Sequence, residues 1–243
     1  MATDISNEQL RRFYEKAAQE YLRSLPLEHF MEATPHATQR KITLESLDLV
    51  AARRPDFHLF NELLVQYPIR GQRKPRQVVP DNMVVLYEGE LSPEGSYDLP
   101  LQPAKPFWVL EYVSKSSKRK DYQDNRQHYE KRLKVPYYLP FDPETQVLTL
   151  FHHNGRQYVR VEPNQHGRLA LPELDLEVGL LDGWVRFWYQ GELLPLPADL
   201  QRQFTETQRQ LAAEQQARQA AETELARLRA EIEELKRHQN HKR

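Results

Sequence analysis

The distribution of glycine and proline divides this chain into two parts. All 8 glycines and all 17 prolines of the 243 residues lie at or before residue 197. Beyond that residue the sequence is rich in Gln, Glu, Arg and Ala, a composition typical of a long exposed helix. Since domains commonly contain about 100 to 200 residues, the sequence predicts one domain over residues 1–197 and a C-terminal helix over residues 198–243.

The C-terminal helix carries a short coiled-coil pattern. Its apolar residues alternate spacings of four and three, as in the a/d seam of a coiled coil: Ala221, Leu225, Leu228, Ile232 and Leu235. In that frame Glu224 and Arg229 occupy g and following e positions, which suits parallel pairing. The seam is shorter than the three or four heptads that identify a coiled coil securely. We predict a homodimer formed through this helix, with a lone solvated helix as the alternative.

Cysteine content and the N-terminus exclude several classes of protein. The chain contains no cysteine, so it has no disulfide framework, thiolate metal site or cysteine nucleophile. The first ten residues lack the basic segment and apolar run of a signal peptide, and no stretch approaches the ~18 apolar residues of a membrane span. We expect a cytoplasmic protein without a membrane segment.

Hydrophobic patterning predicts an α/β domain. Apolar residues at helical spacing predict two helices, over residues 7–24 and 38–52. Short runs rich in Val, Leu and aromatic residues predict three strands, over residues 57–67, 77–89 and 106–114. A polar helix over 122–133 and further strands over 134–143, 147–155 and 157–163 follow. This order favours a mixed sheet flanked by helices.

Two basic segments stand out in a chain of net charge -1. Residues 70–76 contain four basic residues and no acid, and residues 115–134 contain eight basic and three acidic residues. Such segments supply phosphate contacts beside a nucleic-acid site, or form an ordinary solvated surface.

Two carboxylates interrupt apolar strands. Asp81 lies in VVPDNMVV and Glu111 lies in WVLEYVS. Burying an unpaired charge in such a strand is costly, so each acid needs a compensating partner. A divalent metal held by carboxylate oxygens is one solution. A nearby arginine, or a turn that the acid caps, is the other.

The order of short motifs resembles that of the Uma-type restriction endonuclease family. The motifs are Pro80-Asp81, Glu111, Ser114, Asp121, Tyr129, Val135-Pro136 and Asp142-Pro143, and the similarity covers roughly residues 30–195. The resemblance implies the fold of PD-(D/E)XK nucleases and metal-dependent hydrolysis of nucleic-acid phosphodiester bonds. It implies that Asp81 and Glu111 bind Mg²⁺, with Mn²⁺ as an alternative, and that DNA is the partner.

The lysine of the family motif has no direct counterpart. In the usual motif it falls two residues after the second acid, where this chain has Val113. Family members often carry it four residues after the aspartate that matches Asp121, where this chain has Asn125. The resemblance therefore leaves nearby lysines as substitutes: Lys115, which is the first choice, Lys120 and Lys118.

The family also often places an acid on an early helix, and Glu45 is the candidate third metal ligand. Glu62 is a second candidate. Because Asn125 stands where a lysine is expected, a second hypothesis remains open. In that hypothesis the chain is a nuclease-like module without activity that binds nucleic acid or protein and dimerises through its C-terminal helix.

Overall fold

The computed structural model describes residues 6–25, 34–113 and 120–240. The chain forms two compact units, Met1–Leu194 and Pro195–Arg243. The boundary predicted from the sequence, at residue 197, falls in the same segment, which contains Pro195 and Pro197.

Two helices open the first unit, as predicted. In α1 (Asn7–Ser24), Ser6 and Gln9 form a capping box in which each side chain accepts a hydrogen bond from the other residue's backbone N–H. In α2 (Thr34–Ala51) the described helix begins four residues before the predicted start at 38. The added turn contains Pro35, and proline is well tolerated in the first turn of a helix. The longer helix includes His36.

Strands and a third helical segment follow in chain order. The strands are β1 (Phe57–Asn61), β2 (Leu64–Tyr67), β3 (Arg76–Val78), β4 (Asn82–Leu86), β5 (Ser96–Asp98), β6 (Pro106–Tyr112), β7 (Tyr137–Asp142), β8 (Val147–Leu148), β9 (Phe151–His153), β10 (Tyr158–Arg160), β11 (Leu169–Leu171), β12 (Leu176–Leu181), β13 (Trp184–Tyr189) and β14 (Glu192–Leu193). Between β6 and β7 lies α3 (Lys120–Gln127), which continues as a π-helical turn (His128–Leu133), called the π turn below. The predicted polar helix over 122–133 corresponds to these two segments.

The strands form three sheets. The main sheet has the order β1-β4-β6-β7-β9-β10, with β8 paired to β7. In it β6 and β7 are parallel, whereas β1, β4 and β6 are antiparallel neighbours. A second sheet has the order β11-β12-β13-β14, and a third has the order β3-β2-β5. The structure confirms the predicted mixed α/β class.

Two predicted strands are each divided between two sheets. The strand predicted over 57–67 is broken at Glu62, whose φ of 48° is left-handed. The strand predicted over 77–89 is broken at Pro80, because proline cannot donate a ladder hydrogen bond. The two breaks lie side by side, since Glu62 N donates to Asp81 O over 3.2 Å. Asp81 therefore lies in a bend immediately before β4 and not within a continuous strand.

The main sheet packs a hydrophobic layer on each face. Alternate residues of β6 point to opposite faces, so Trp108 and Leu110 pack with α2 and the second sheet. Val109 faces the other layer, which contains Tyr129 and Leu133 of the π turn. Glu111 is in phase with Val109 and faces the π turn.

The second unit consists of α4 (Pro197–Asn240), a helix of 44 residues. Its exposed apolar residues include Leu225, Leu228 and Ile232 of the predicted seam. In the described ranges, no helix is both long and apolar enough to cross a membrane.

Candidate active site

The two carboxylates predicted from the sequence meet at one end of the main sheet. Asp81 immediately precedes β4, and Glu111 is the penultimate residue of β6. The antiparallel register pairs Asn82 with Leu110, so the next position on each strand brings Asp81 beside Glu111. Their carboxyl groups are linked by a hydrogen bond. We call these two residues the acid pair.

Each acid of the pair is held by a second, fixed donor. The backbone N–H of Tyr112 donates to Asp81 Oδ2 over 2.6 Å. The hydroxyl of Tyr129 donates to Glu111 Oε1 over 2.5 Å. The main sheet thus fixes one carboxyl group, and the π turn fixes the other.

Burial and mutual repulsion disfavour two negative charges in the acid pair. Burial raises the pKa of Glu111 well above its ordinary value, and the charge of Asp81 raises it further. Burial also raises the pKa of Asp81, although the Tyr112 N–H opposes this. The pair therefore tends to retain a proton. Carboxylate oxygens are also the ligands that Mg²⁺ prefers, so the chemistry of the two residues suits a divalent cation.

The first turns of α2 bring two further charged or polar side chains to Asp81. The positive charge of Arg40 lowers the pKa of Asp81, and His36 acts in the same direction. Arg40 Nη2 also forms an ion pair with Glu62 Oε1 at 2.6 Å. Neither residue was predicted from the sequence. The available signal was their spacing of four, which places them on one face of a helix, but the helix was predicted to begin after His36.

Glu45, the predicted third metal ligand, is not brought to the acid pair. It is nine residues from His36 on α2, which at 3.6 residues per turn places it about half a turn away from that face. Its carboxylate instead lies 3.7 Å from Lys41 Nζ. Within the described ranges, no group of three or more histidine, aspartate or glutamate side chains could hold a metal ion. The alternative acid, Glu62, reaches Arg40.

The side chains of the lysines predicted to assist the reaction fall outside the described part of the structure. Lys115 and Lys118 lie outside the described residues, and Lys120 is the first residue of α3, with its side chain also outside them. Asn125 is half-buried on α3. Arg40 is a cation that the described residues do place near the acid pair.

A buried polar chain attaches α2 to the strands that carry the acid pair. Tyr112 Oη lies 2.7 Å from Thr43 Oγ1 and 2.8 Å from Asn82 Oδ1. Gln39 Nε2 donates to Thr43 Oγ1 over 3.3 Å. Because Tyr112 and Asn82 each adjoin one acid of the pair, these hydrogen bonds fix α2, which carries Arg40, relative to both acids.

Comparison with known proteins gives one family and a distant structural likeness. The model of the Uma2 family, described as "Putative restriction endonuclease", matches residues 8–182. A solved structure from Anabaena variabilis ATCC 29413, described as a "putative nuclease", is similar over 59% of this chain and 75% of its own, with 17% sequence identity and a TM-score of 0.44. No curated protein matches the sequence.

Proposed function

Because the chain belongs to the Uma2 family, we propose that it is a divalent-metal-dependent endonuclease that hydrolyses phosphodiester bonds of nucleic acid, with DNA as the expected substrate. The observation that carries the proposal is the buried acid pair. Two carboxyl groups hydrogen-bonded to each other at a sheet end are costly for the fold, and metal binding is a chemical reason for their presence.

Asp81 and Glu111 would hold the ion, which we propose to be Mg²⁺ or Mn²⁺. When bound, such an ion lowers the pKa of a coordinated water and stabilises charge on the phosphate. The protein's own contribution is to hold the two carboxylates in position. The Tyr112 N–H and the Tyr129 hydroxyl do so, and hydrogen bonds of this kind orient metal ligands and tune their affinity.

Arg40 offers a positive charge in place of the lysine missing at Asn125. A guanidinium is always charged and donates in a fixed planar geometry that matches phosphate. Arg40 lies close enough to Asp81 to lower the pKa of that acid, so it is placed to contact a phosphate that approaches the pair. Lys115 and Lys120 remain further candidates for assisting the attacking water.

The test is cleavage of labelled DNA and RNA, single-stranded and duplex, with and without Mg²⁺ or Mn²⁺. We expect divalent-dependent cleavage that Asp81→Asn and Glu111→Gln abolish. The matched control is Glu45→Gln, which removes a carboxylate of the same chain away from the pair. Absence of cleavage from every substrate, or cleavage that survives Asp81→Asn, would overturn the proposal.

The second candidate function is an inactive nuclease-like module that binds nucleic acid or a partner protein. Asn125 is the observation that favours it, since an amide cannot supply the charge of a lysine. Calorimetry separates the two functions. Tight Mg²⁺ or Mn²⁺ binding that Asp81→Ala abolishes supports the endonuclease, whereas no metal binding supports the inactive module.

We propose that the protein is a homodimer joined through α4. The exposed apolar residues of this helix, including Leu225, Leu228 and Ile232, support pairing with a second copy. Light scattering of the full chain and of a chain truncated at residue 200 tests it. An equal number of copies per particle for the two chains would refute pairing through α4.

A further inference from the structure

The two basic segments noted in the sequence meet in one cleft. Arg76, the last basic residue of segment 70–76, begins β3, while Lys131 and Arg132 of segment 115–134 belong to the π turn. All three line a cleft of about 250 Å³. Arg76 is more than 50 positions away from Lys131 and Arg132 in the sequence, so only the fold brings it to them.

The cleft has the character of a site for a phosphate group. Its remaining lining includes Gln72, Gln127 and one acid, Asp124. Small-molecule sites usually occupy about 300 to 1,000 Å³ and are mostly apolar, whereas this cleft is smaller and mostly polar. Three cations against one acid leave it positive.

The three cations of the cleft are available to a ligand. Arg76, Lys131 and Arg132 are exposed, and none of them forms an ion pair with a carboxylate in the described part of the chain. Repulsion among like charges held in one cleft is relieved when an anion binds there.

A fourth group, His128, adds a hydrogen-bonding ring. Its Nδ1 lies 2.5 Å from the hydroxyl of buried Tyr67. We assign Tyr67 as the donor, because no other acceptor for its hydroxyl lies among the described residues. That assignment places the ring proton on Nε2. Since His128 lines the cleft, its ring adds a neutral hydrogen-bonding group for a phosphate oxygen beside the three cations.

The cleft is connected to the acid pair by adjacent residues of the π turn. His128 lines the cleft, and the next residue, Tyr129, donates to Glu111. A π-helical turn is rare and occurs often at functional sites. Here the π turn directs His128 to the cleft and Tyr129 to the acid pair.

We infer that this basic cleft binds a backbone phosphate of the nucleic-acid strand whose phosphodiester bond reaches the acid pair. The inference rests on the proposed function for the identity of the strand. The contact is independent of base sequence, because the groups lining the cleft suit phosphate oxygens and phosphate contacts carry no direct sequence information. The cleft therefore contributes affinity and position, while the acid pair is the site of the chemistry.

The test measures binding of short labelled DNA, single-stranded and duplex, to the full chain in EDTA, over a series of salt concentrations. The variant is the double substitution Arg76→Gln with Arg132→Gln. The matched control is Arg156→Gln with Arg160→Gln, which removes the same charge from exposed positions in and beside β10. For loss of one phosphate contact we expect affinity to fall about tenfold and the slope of log K against log salt to fall by about one. The control keeps the wild-type slope.

The outcomes separate DNA binding by the cleft from the proposed cleavage activity. Cleft variants that bind DNA with unchanged affinity and slope overturn the inference, as does a wild-type chain that binds no DNA, whatever its cleavage activity. A wild-type chain that binds through the cleft but cleaves nothing with Mg²⁺ or Mn²⁺ upholds the cleft and refutes the proposed activity. Displacement of DNA by polyglutamate at equal charge would identify an acidic protein as the ligand and overturn the inference.

Discussion

Tyr129 Oη lies 2.5 Å from Glu111 Oε1 and donates its proton to that carboxyl group. The hydroxyl comes from the π turn and the acid from β6, so this one hydrogen bond connects the helical layer to the central strand of the candidate site. Tyr129 is fully buried, which makes its side chain a fixed support for the acid.

Tyr129→Phe removes the donor and leaves the ring in place. Hydrogen bonds of this kind to metal ligands typically contribute 10- to 100-fold to metal affinity or activity, so we expect weaker Mg²⁺ or Mn²⁺ binding by roughly that factor. Calorimetric titration measures it. Tyr97→Phe is the control, because it removes a buried hydroxyl that donates to Ala104 O. Equal metal affinity in the two variants would contradict the role of Tyr129.

Glu111→Gln is expected to stabilise the metal-free protein at neutral pH. The folded-state pKa of Glu111 is raised by burial and by Asp81, so the unfolded chain releases this proton at a lower pH than the folded chain does. Stability of the wild type therefore falls as pH rises from the unfolded pKa through the folded one. We therefore expect Glu111→Gln to be more stable than the wild type at neutral pH, by a margin that shrinks as the pH falls toward the ordinary value of 4.5.

Denaturant unfolding of the metal-free protein at several pH values measures that gain. Glu45→Gln serves as the control, since Glu45 lies away from the acid pair, and the gain in stability at neutral pH should be absent from it. A Glu111→Gln protein that is less stable than wild type at neutral pH would show that the acid pair is not strained by its own charge.

Arg40→Gln is expected to move the pH dependence of cleavage. Arg40 lowers the pKa of Asp81, so its removal raises that pKa and the carboxylate ionises at a higher pH. The acidic limb of the rate profile should shift to higher pH, with a lower rate below it. Lys41→Gln is the matched control, because Lys41 is the next residue on α2 and lies beside Glu45. Coincident profiles for the two variants would remove Arg40 from the site.

Tyr112→Phe tests the polar chain between α2 and the strands. Loss of the hydroxyl leaves the buried Asn82 Oδ1 and Thr43 Oγ1 without this partner, which costs about 1–3 kcal/mol for an unsatisfied buried group. Thermal or denaturant unfolding measures the loss. Tyr158→Phe, which removes another buried hydroxyl, provides a reference for the average cost. If Tyr112→Phe changes the pH profile of cleavage and Tyr158→Phe does not, the hydrogen bonds of the Tyr112 hydroxyl position Arg40 as well.

The acid pair could be found from sequence because of its contrast with its neighbours. A carboxylate among valines and leucines is conspicuous, and the antiparallel pairing of β4 with β6 then brings Asp81 and Glu111 together. The α/β class followed from the same short apolar runs. Both features depend on the order of polar and apolar residues along short segments, which is visible in the sequence without knowledge of the fold.

The supports of the pair were not predictable in the same way. Tyr129 reaches Glu111 only because α3 continues as a π turn, and hydrophobic periodicity does not distinguish that turn from an α-helix. His36 was missed because the helix was predicted to begin after it, and Arg40 was missed because a position within the predicted helix does not reveal which acid its side chain approaches. Glu62 and Pro80 divided two apparent strands between sheets, and such breaks depend on backbone conformation and long-range hydrogen bonds.

The π turn over His128–Leu133 has a consequence for how this chain can change during evolution. A π turn contains one residue more than the equivalent α-helical turn, so deleting a single residue there would change the directions of the side chains within the turn. Tyr129, Lys131 and Arg132 all belong to it, so one such deletion would alter both the support of Glu111 and the lining of the cleft. We expect these two features to change together when the length of this turn changes.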